Sequence, residues 1–272
     1  MSTAADAVLY EVRGRVALIT LNRPERLNAW NADLAAGYFD SLDRAAADPG
    51  VAAIVVTGAG RGFCAGADMD VLQGIGSGDG DAGDRAPDTR DATYALSIPK
   101  PIIAAVNGAC AGLGLVHAVA CDLRFAAEGA KFTTAFSRRG LIAEHGISWT
   151  LPRLVGQSNA LDLLLSGRVV LAEEARELGL VSRVYQPDQL LDETMAYADD
   201  LATNAAPASM AIMKHQVYRH PMLPLDQAMA ESNGFMRASL KRADFKEGVA
   251  SFLEKRPPAF EPVTGPPADL TD

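Results

Sequence analysis

Short apolar segments that end in glycine-rich turns recur along this chain, and they constrain its fold more than any other feature. The segments "VAAIVVTGAG" (51–60) and "PIIAAVNG" (101–108) have the length and the β-branched content of buried strands. Helical patterns lie beside them, at "NADLAAGYFDSLDRAAADP" (31–49) and at "LVHAVACD" (115–122). The alternation of strand, glycine turn and helix predicts an α/β fold with partly parallel strands.

Other segments of the chain extend this pattern. "VLYEVRGRVALITLNRP" (8–24) predicts two strands around a turn at Arg13-Gly14, and "DLRFAAEGAKF" (122–132) predicts one further strand. Helical patterns dominate after about Ser158. The Gly-, Asp- and Ser-rich segment from Gln73 to Asp91 predicts a mobile surface loop near a ligand entrance, with a tolerated insertion as the alternative.

Composition excludes several classes of function. The net charge is −9 and the Lys and Arg residues are scattered over the 272 residues, so a nucleic-acid partner is not expected. Neither a secretory leader nor an apolar run of about 18 residues is found, which favours a cytoplasmic protein without a membrane span. The three cysteines have neither metal-ligand spacing nor a disulfide pattern, so we expect no metal site.

Two glycine-rich turns are candidates for chemistry. "GRGFCAGADMDVL" (60–72) and "NGACAGLGLVHAVACD" (107–122) each follow a predicted strand and open a helix. Free N–H groups at a helix start attract negative charge, and two such groups that meet at one point form an oxyanion hole. Neither turn has the Gly-Lys-Ser/Thr of a P-loop or a dinucleotide fingerprint. Spacing alone therefore leaves the function of these turns open.

The chain resembles the crotonase, or enoyl-CoA hydratase/isomerase, superfamily. The resemblance rests on "LNRPERLNAW", "GFCAGADM", "KPIIAAVNGACAGLGLVHAVACDLRFAAEGAKF", "LSGRVVLAEEARELGLVSRV" and "DFKEGVASFLEKRPPAF", in order from about Leu9 to Phe260. It implies an α/β spiral of ββα units (1–205) and a helical C-terminal region (206–272) that drives trimerisation. It also implies an acyl-CoA substrate and a homo-oligomer, either a trimer or a dimer of trimers.

The same resemblance assigns roles to individual positions. It implies that the backbone N–H groups of Ala67 and Leu113 form the oxyanion hole. The residues that it implies for the coenzyme A and acyl site are Arg26, Leu27, Ala29, Ala65, Gly66, Asp68, Met69, Gly112 and Phe136. No separate cofactor is expected, because coenzyme A enters as part of the substrate.

The acid and base groups decide the reaction. Hydratases of the family use two glutamates, and Val116 and Phe136 stand at those positions here. "FSRRGLIAEHGISWTLPRLVG" (136–156) resembles the segment of the Δ3,Δ2-enoyl-CoA isomerases that carries their only catalytic carboxylate, which corresponds to Glu144. One carboxylate is sufficient for a double-bond shift, because it can remove a proton from one carbon and return it to another. His117 is an alternative proton donor, because it is adjacent to the glutamate position that Val116 occupies. Neighbouring residues of a helix point about 100° apart, however, so the His117 side chain is not directed as a side chain at position 116 would be.

The environment of Glu144 is predicted as well. We expect an apolar surrounding from Leu141, Ile142, Ile147 and Trp149, at the start of a helix whose dipole would also stabilise the carboxylate in a purely structural role. His145 is a candidate to orient Glu144 or a water, although adjacency in sequence argues against direct contact between the two side chains. The sequence favours isomerisation of an unsaturated acyl-CoA, as in fatty-acid β-oxidation. Hydration of 2-enoyl-CoA, thioester hydrolysis and a non-catalytic acyl-CoA-binding paralogue remain open.

Overall fold

The computed structural model describes residues 7–70, 73 and 88–265 of the chain. The strands are β1 (Val8–Arg13), β2 (Val16–Leu21), β3 (Ala53–Gly58), β4 (Gly62–Cys64), β5 (Ile102–Val106), β6 (Ala109–Ala111), β7 (Leu123–Ala127), β8 (Lys131–Thr133), β9 (Val170–Leu171) and β10 (Arg183–Tyr185). The helices described from end to end are α1 (Ala32–Ala47), α2 (Leu113–Ala120), α3 (Ile147–Val155), α4 (Gln157–Ser166), α5 (Ala172–Glu177), α6 (Leu190–Asn204), α7 (Pro207–Arg219), α8 (Leu225–Ser239) and α9 (Ala243–Glu254).

Two sheets organise the fold. The larger sheet has the order β1-β2-β3-β5-β7-β10, in which only β1 and β2 are antiparallel. The smaller sheet has the order β4-β6-β8-β9, and only its last pair is antiparallel. Each of the successive pairs β3/β4, β5/β6 and β7/β8 gives one strand to each sheet. The predicted α/β spiral of ββα units is therefore confirmed.

The strand predictions need two corrections. "DLRFAAEGAKF" is not one strand, because the chain turns at Glu128-Gly129 and its two halves pair in different sheets. Gly129 has φ +75°, a conformation that glycine adopts without steric cost. The short strands β4 and β6 lie inside the segments that we assigned to glycine-rich turns. Strands of three residues are too short to show a hydrophobic period in sequence.

The larger sheet is buried on both faces. Alternate residues of β3 point to opposite sides, so Ile54 and Val56 join the main core beneath α1 and α2, whereas Val55 packs on the side covered by α6. Coverage of both faces is typical of parallel sheets. It explains why the sequence of β3 reads as a continuous apolar run.

Helices α7 and α8 and the segment after α9 form a smaller separate cluster of Ala208, Ala211, Ile212, Phe235 and Val263. Helix α6 ends at Asn204 and α7 begins at Pro207, on either side of the predicted boundary at 205/206, and the division into two domains stays a prediction. The segment from 74 to 87, which holds most of the predicted surface loop, lies outside the described residues. In the described part of the chain no helix has the length and apolarity to cross a membrane.

Candidate active site

Parallel pairing places the two glycine-rich turns side by side. Strands β4 and β6 pair with Cys64 opposite Cys110, so the chain leaves both strands at the same edge of the smaller sheet. Ala67 and Leu113 each lie three residues beyond these paired cysteines. The register of two very short strands thus brings together the two backbone positions that the family resemblance selects.

Glycines allow the two turns to touch. A Cβ atom built on Gly66 would lie 3.0 Å from the carbonyl oxygen of Ala111 and 3.8 Å from Cα of Gly112. A Cβ atom on Gly114 would lie only 2.1 Å from the carbonyl oxygen of Cys64. Helix α2 therefore begins against the backbone of β4 at a distance that only glycine permits.

A parallel β-bridge to Trp30 sets the orientation of the Ala67 N–H group. The N–H of Trp30 donates to Gly66 O at 2.7 Å, and the N–H of Asp68 donates to Trp30 O at 3.0 Å. In this parallel arrangement the N–H of Ala67 points away from Trp30. Leu113 is the first residue of α2, where amides have no partner within the helix. Neither amide donates a hydrogen bond within the described ranges.

Glu144 comes from the segment between β8 and α3. Helix α3 is anchored by Ile147 and Leu151, which are fully buried in the main core. Before it, the N–H of Leu141 donates to Phe136 O at 3.0 Å and fixes the start of the loop. The anchored helix and the closed loop hold the carboxylate beside the two turns.

The turns and this segment enclose one cavity of about 1060 Å³. Its wall consists of Arg26, Ala29, Ala65, Gly66, Ala67, Asp68, Met69, Gln73, Gly112, Leu113, Phe136, Arg139, Leu141, Glu144 and His145. The structure thus brings together the predicted site residues with the exception of Leu27. The side chain of Leu27 packs against Gly62, and its carbonyl accepts from Ala65 N at 3.0 Å, so Leu27 supports the wall from behind.

Four wall residues, Gln73, Arg139, Leu141 and His145, were not among the predicted site residues. Arg139 is exposed and lies on the cavity wall. Three of the four flank Glu144 in "SRRGLIAEH", so proximity to the predicted carboxylate was the available signal. Their side-chain directions depend on loop geometry, which the sequence does not specify.

The apolar surrounding predicted for Glu144 is only partly correct. Ile147 is buried, but Leu141 is exposed and Ile142 is 78% exposed, and the Glu144 side chain is itself 34% exposed. The helix starts only at Ile147, with Gly146 as its N-cap, so Glu144 precedes the first turn instead of forming part of it. The carboxylate is therefore accessible from the cavity.

Asp68 is held as an anion by its neighbours. Although burial alone would raise the pKa of Asp68, the hydrogen bond from Arg23, at 2.9 Å, lowers it. The other carboxylate oxygen accepts from the N–H of Asp70 at 3.2 Å, which caps the helical turn that follows. Arg23, which sequence reasoning did not select, also donates to the carbonyl of Ala29. Asp68 thus fixes the first turn, and its carboxylate is engaged within the protein.

His117 is enclosed by aromatic rings and does not line the cavity. Its ring stacks on Trp30 with centroids 3.7 Å apart, and Tyr38 and Phe39 pack edge-on against it. Burial, with a smaller effect from His145, lowers its pKa from 6.5 to about 3. Val116, which stands at a hydratase glutamate position by the resemblance, is buried as well. Helix α2 therefore contributes its first backbone amide to the cavity and neither of these two side chains.

The side chains of His145 and Glu144 approach each other, although residues adjacent in sequence usually point apart. His145 and Gly146 have φ values of +55° and +79°, and the N–H of Ile147 donates to Glu144 O at 3.2 Å. Two left-handed residues inside such a bond define a type I′ turn. The turn folds the two side chains toward each other, with His145 Nε2 3.8 Å from Glu144 Oε2. The two side chains therefore lie at ion-pair distance without a hydrogen bond between them, although adjacency in sequence would have separated them.

Comparison with known proteins identifies the family. A profile of the enoyl-CoA hydratase/isomerase family matches residues 11–262. The chain is 35% identical over 264 residues to the 1,2-epoxyphenylacetyl-CoA isomerase of Escherichia coli (strain K12), which covers 94% of this chain and 98% of the relative. This chain belongs to the enoyl-CoA hydratase/isomerase family of the crotonase superfamily and is an enzyme.

Solved structures agree with this assignment. A probable enoyl-CoA hydratase/isomerase from Mycobacterium abscessus superposes with a TM-score of 0.85 at 31% identity, covering 94% of this chain and 98% of that one. The enoyl-CoA hydratase EchA12_1 from Mycobacterium marinum is 52% identical with a TM-score of 0.69, over 80% of this chain and 100% of that one. The names of these relatives include both hydratases and isomerases, so family membership alone does not select the reaction.

Proposed function

We propose that this enzyme shifts the double bond of an unsaturated acyl-CoA, in a reaction of the kind used in fatty-acid β-oxidation in the cytoplasm. Glu144 removes a proton from the carbon next to the thioester carbonyl and returns it at the far end of the resulting dienolate. The amides of Ala67 and Leu113 hold the negative oxygen during the transfer. The single observation that carries the proposal is one cavity with two free backbone amides and an accessible carboxylate.

The two amides account for the intermediate. A thioester enolate concentrates negative charge on its oxygen, and preorganised N–H donors stabilise that charge without reorganisation. Loss of one such donor costs about 2.7–4 kcal/mol in other enzymes. The donors are backbone groups at the ends of paired strands, so they do not depend on the side chains of Ala67 or Leu113. The reaction uses no separate cofactor, because coenzyme A enters with the substrate.

The choice of isomerisation depends on the acids that are present. Hydration requires one group to activate water and a second to protonate carbon, and Val116 and Phe136 carry out neither role. A double-bond shift needs only Glu144.

The enzyme is proposed to act as a homo-oligomer, either a trimer or a dimer of trimers. Support comes from large apolar side chains that are exposed on the C-terminal helices, among them Val217 on α7, Leu225 on α8 and Phe252 on α9. Exposed apolar surface of this extent is typical of subunit contacts. Light scattering coupled to gel filtration measures the mass directly, and a monomer at micromolar concentration would contradict this part of the proposal.

The activity is tested with purified enzyme and two substrates in parallel. A 3-enoyl-CoA should be converted to the conjugated 2-enoyl-CoA, which is followed by its ultraviolet absorbance. Glu144→Gln should lower kcat by about 10²–10⁴-fold, since that is the usual contribution of general acid–base catalysis. Its affinity for a saturated acyl-CoA should stay within about twofold, because Gln keeps the shape of the side chain.

Glu128→Gln is the matched control. Glu128 is an exposed glutamate outside the cavity, with Gln186 as its hydrogen-bond partner, so its loss should leave turnover unchanged. Formation of 3-hydroxyacyl-CoA from 2-enoyl-CoA as the faster reaction would indicate a hydratase. Tight acyl-CoA binding without turnover of either substrate would indicate a binding protein, and either result would refute the proposed shift.

A further inference from the structure

The cavity wall carries a second side chain that can accept and donate protons. The ionisable side chains on its described wall are Arg26, Asp68, Arg139, Glu144 and His145. Arginine does not release its proton in proteins, and Asp68 is engaged as an anion with Arg23. Only Glu144 and His145 remain, and the turn at 144–147 places them together.

The structure holds this pair in position at a conformational cost. A left-handed backbone is sterically unfavourable at a residue other than glycine. His145 adopts it at φ +55° and Gly146 at φ +79°, where an added Cβ atom would lie 2.8 Å from the methyl carbon of Thr93. Without this turn the side chains of residues 144 and 145 would diverge. The strain thus has an identifiable consequence, which is the 3.8 Å approach of Nε2 to Oε2.

We propose that His145 is a positioning residue that relays protons between Glu144 and solvent; this inference depends on the proposed enolate chemistry at Glu144. The carboxylate removes a proton from the substrate carbon and becomes a carboxylic acid, leaving the electron pair in the enolate. The acid passes that proton to the imidazole, which gives a carboxylate and an imidazolium. A small rotation or one bridging water closes the 3.8 Å gap.

The exposed imidazole of His145 connects the relay to solvent. The imidazole of His145 is 44% exposed, so its proton exchanges with bulk water while the enolate is still bound. The reverse sequence delivers a solvent proton through Glu144 to carbon. Direct return by Glu144 conserves the original proton, whereas passage through His145 replaces it. Within the described ranges, the titratable groups that interact with His145 are Glu144 on its own turn and, electrostatically, the buried His117 of α2.

Two reactions measured in D₂O on one sample separate these routes. The first is exchange of the C2 protons of a saturated acyl-CoA, which requires the enolate and loss of its proton to solvent. The second is isomerisation of a 3-enoyl-CoA, in which Glu144 can return the same proton. His145→Asn removes the imidazole and keeps the turn, because Asn-Gly is the preferred pair for type I′ turns.

The expected result for His145→Asn is an exchange rate lowered by about tenfold or more, with isomerisation lowered by less than about threefold. The ratio of the two rates does not depend on the fraction of folded protein, so a loss of stability cannot imitate the effect. His220→Asn is the matched control, because His220 pairs with Glu231 at 3.1 Å outside this cavity, and its ratio should equal that of the unaltered enzyme.

An unchanged ratio in His145→Asn would overturn the relay. Exchange that depends on His145 in an enzyme that does not isomerise 3-enoyl-CoA would support the relay and refute the proposed double-bond shift. If the unaltered enzyme catalyses neither reaction, both proposals fall.

Discussion

Replacement of Gly114 by Ala should separate the two oxyanion donors. The new methyl carbon would lie 2.1 Å from the carbonyl oxygen of Cys64 and 2.8 Å from the carbonyl carbon. The start of α2 and the end of β4 must therefore move apart by about 1.3 Å to reach an ordinary contact. Leu113 moves with α2 while Ala67 stays with β4, so one amide no longer reaches the oxyanion.

The magnitude follows from the role of the donors. A misplacement of about 1 Å in a catalytic site typically costs about 100-fold in rate, and loss of a donor costs about 10²–10³-fold in kcat. We expect kcat for 3-enoyl-CoA isomerisation to fall by about that factor while KM changes by less than about threefold. Overpacking should also lower the free energy of unfolding by about 1–3 kcal/mol.

Steady-state kinetics with a parallel urea titration measure both effects. Gly234→Ala is the control, since a Cβ atom at this position in α8 would meet nothing within 4 Å. It should retain full turnover and gain roughly 0.5–1 kcal/mol of stability from the helix propensity of Ala. A Gly114→Ala enzyme with unchanged kcat would refute the reasoning that contact between α2 and β4 sets the donor geometry.

Two further predictions concern stability. Lys214→Met should destabilise the protein by about 3 kcal/mol in urea unfolding. The reason is that the mostly buried Asp122 loses its charged partner at 2.7 Å and keeps only neutral hydrogen-bond donors. Lys131→Met is the control, because Lys131 is exposed and its replacement should change stability by less than about 0.5 kcal/mol. The pKa of His117 is lowered by burial from 6.5 to about 3, so the unfolded chain binds a proton in this interval that the folded chain does not. Stability should therefore decline as the pH falls from 6.5 toward 3, by up to about 1.4 kcal/mol per pH unit for this group, and His117→Phe should decline less steeply over the same range. An equal slope for both proteins would contradict the burial of a neutral imidazole.

The elements of the larger sheet could be predicted from sequence because each one is long enough to show its pattern. The strand at 53–58 reads as a continuous apolar run since both of its faces are covered, and α1 begins where Asn31 caps the N–H of Leu34 at 3.0 Å. Local chemistry and burial agree at these positions. The boundaries therefore follow from the residues themselves.

The smaller sheet shows the limit of such reasoning. Three-residue strands such as β4 and β6 exist because tertiary contacts pair Cys64 with Cys110, and no local signal specifies that register. The proximity of Ala67 and Leu113 could be predicted only from the resemblance to a known family. Its physical cause, parallel pairing of two short strands, became apparent from the structure.

The candidate site was predictable in its residue types and not in its directions. Glu144 could be selected because its segment resembles that of the Δ3,Δ2-enoyl-CoA isomerases, in which it corresponds to the only catalytic carboxylate. The expected apolar surrounding was wrong for Leu141 and Ile142, since the loop turns them outward. His145 was discounted because neighbouring residues ordinarily diverge. A type I′ turn instead brings the two neighbouring side chains together. The sequence His-Gly predicts such a turn less strongly than Asn-Gly does.

A crystal structure of the enzyme with a bound acyl-CoA tests the central claim most directly. The thioester oxygen should lie about 2.7–3.1 Å from the backbone nitrogen atoms of both Ala67 and Leu113. The carboxylate of Glu144 should face the carbon next to the thioester carbonyl. A thioester oxygen that contacts neither amide, or a Glu144 carboxylate turned away from that carbon, would contradict the mechanism.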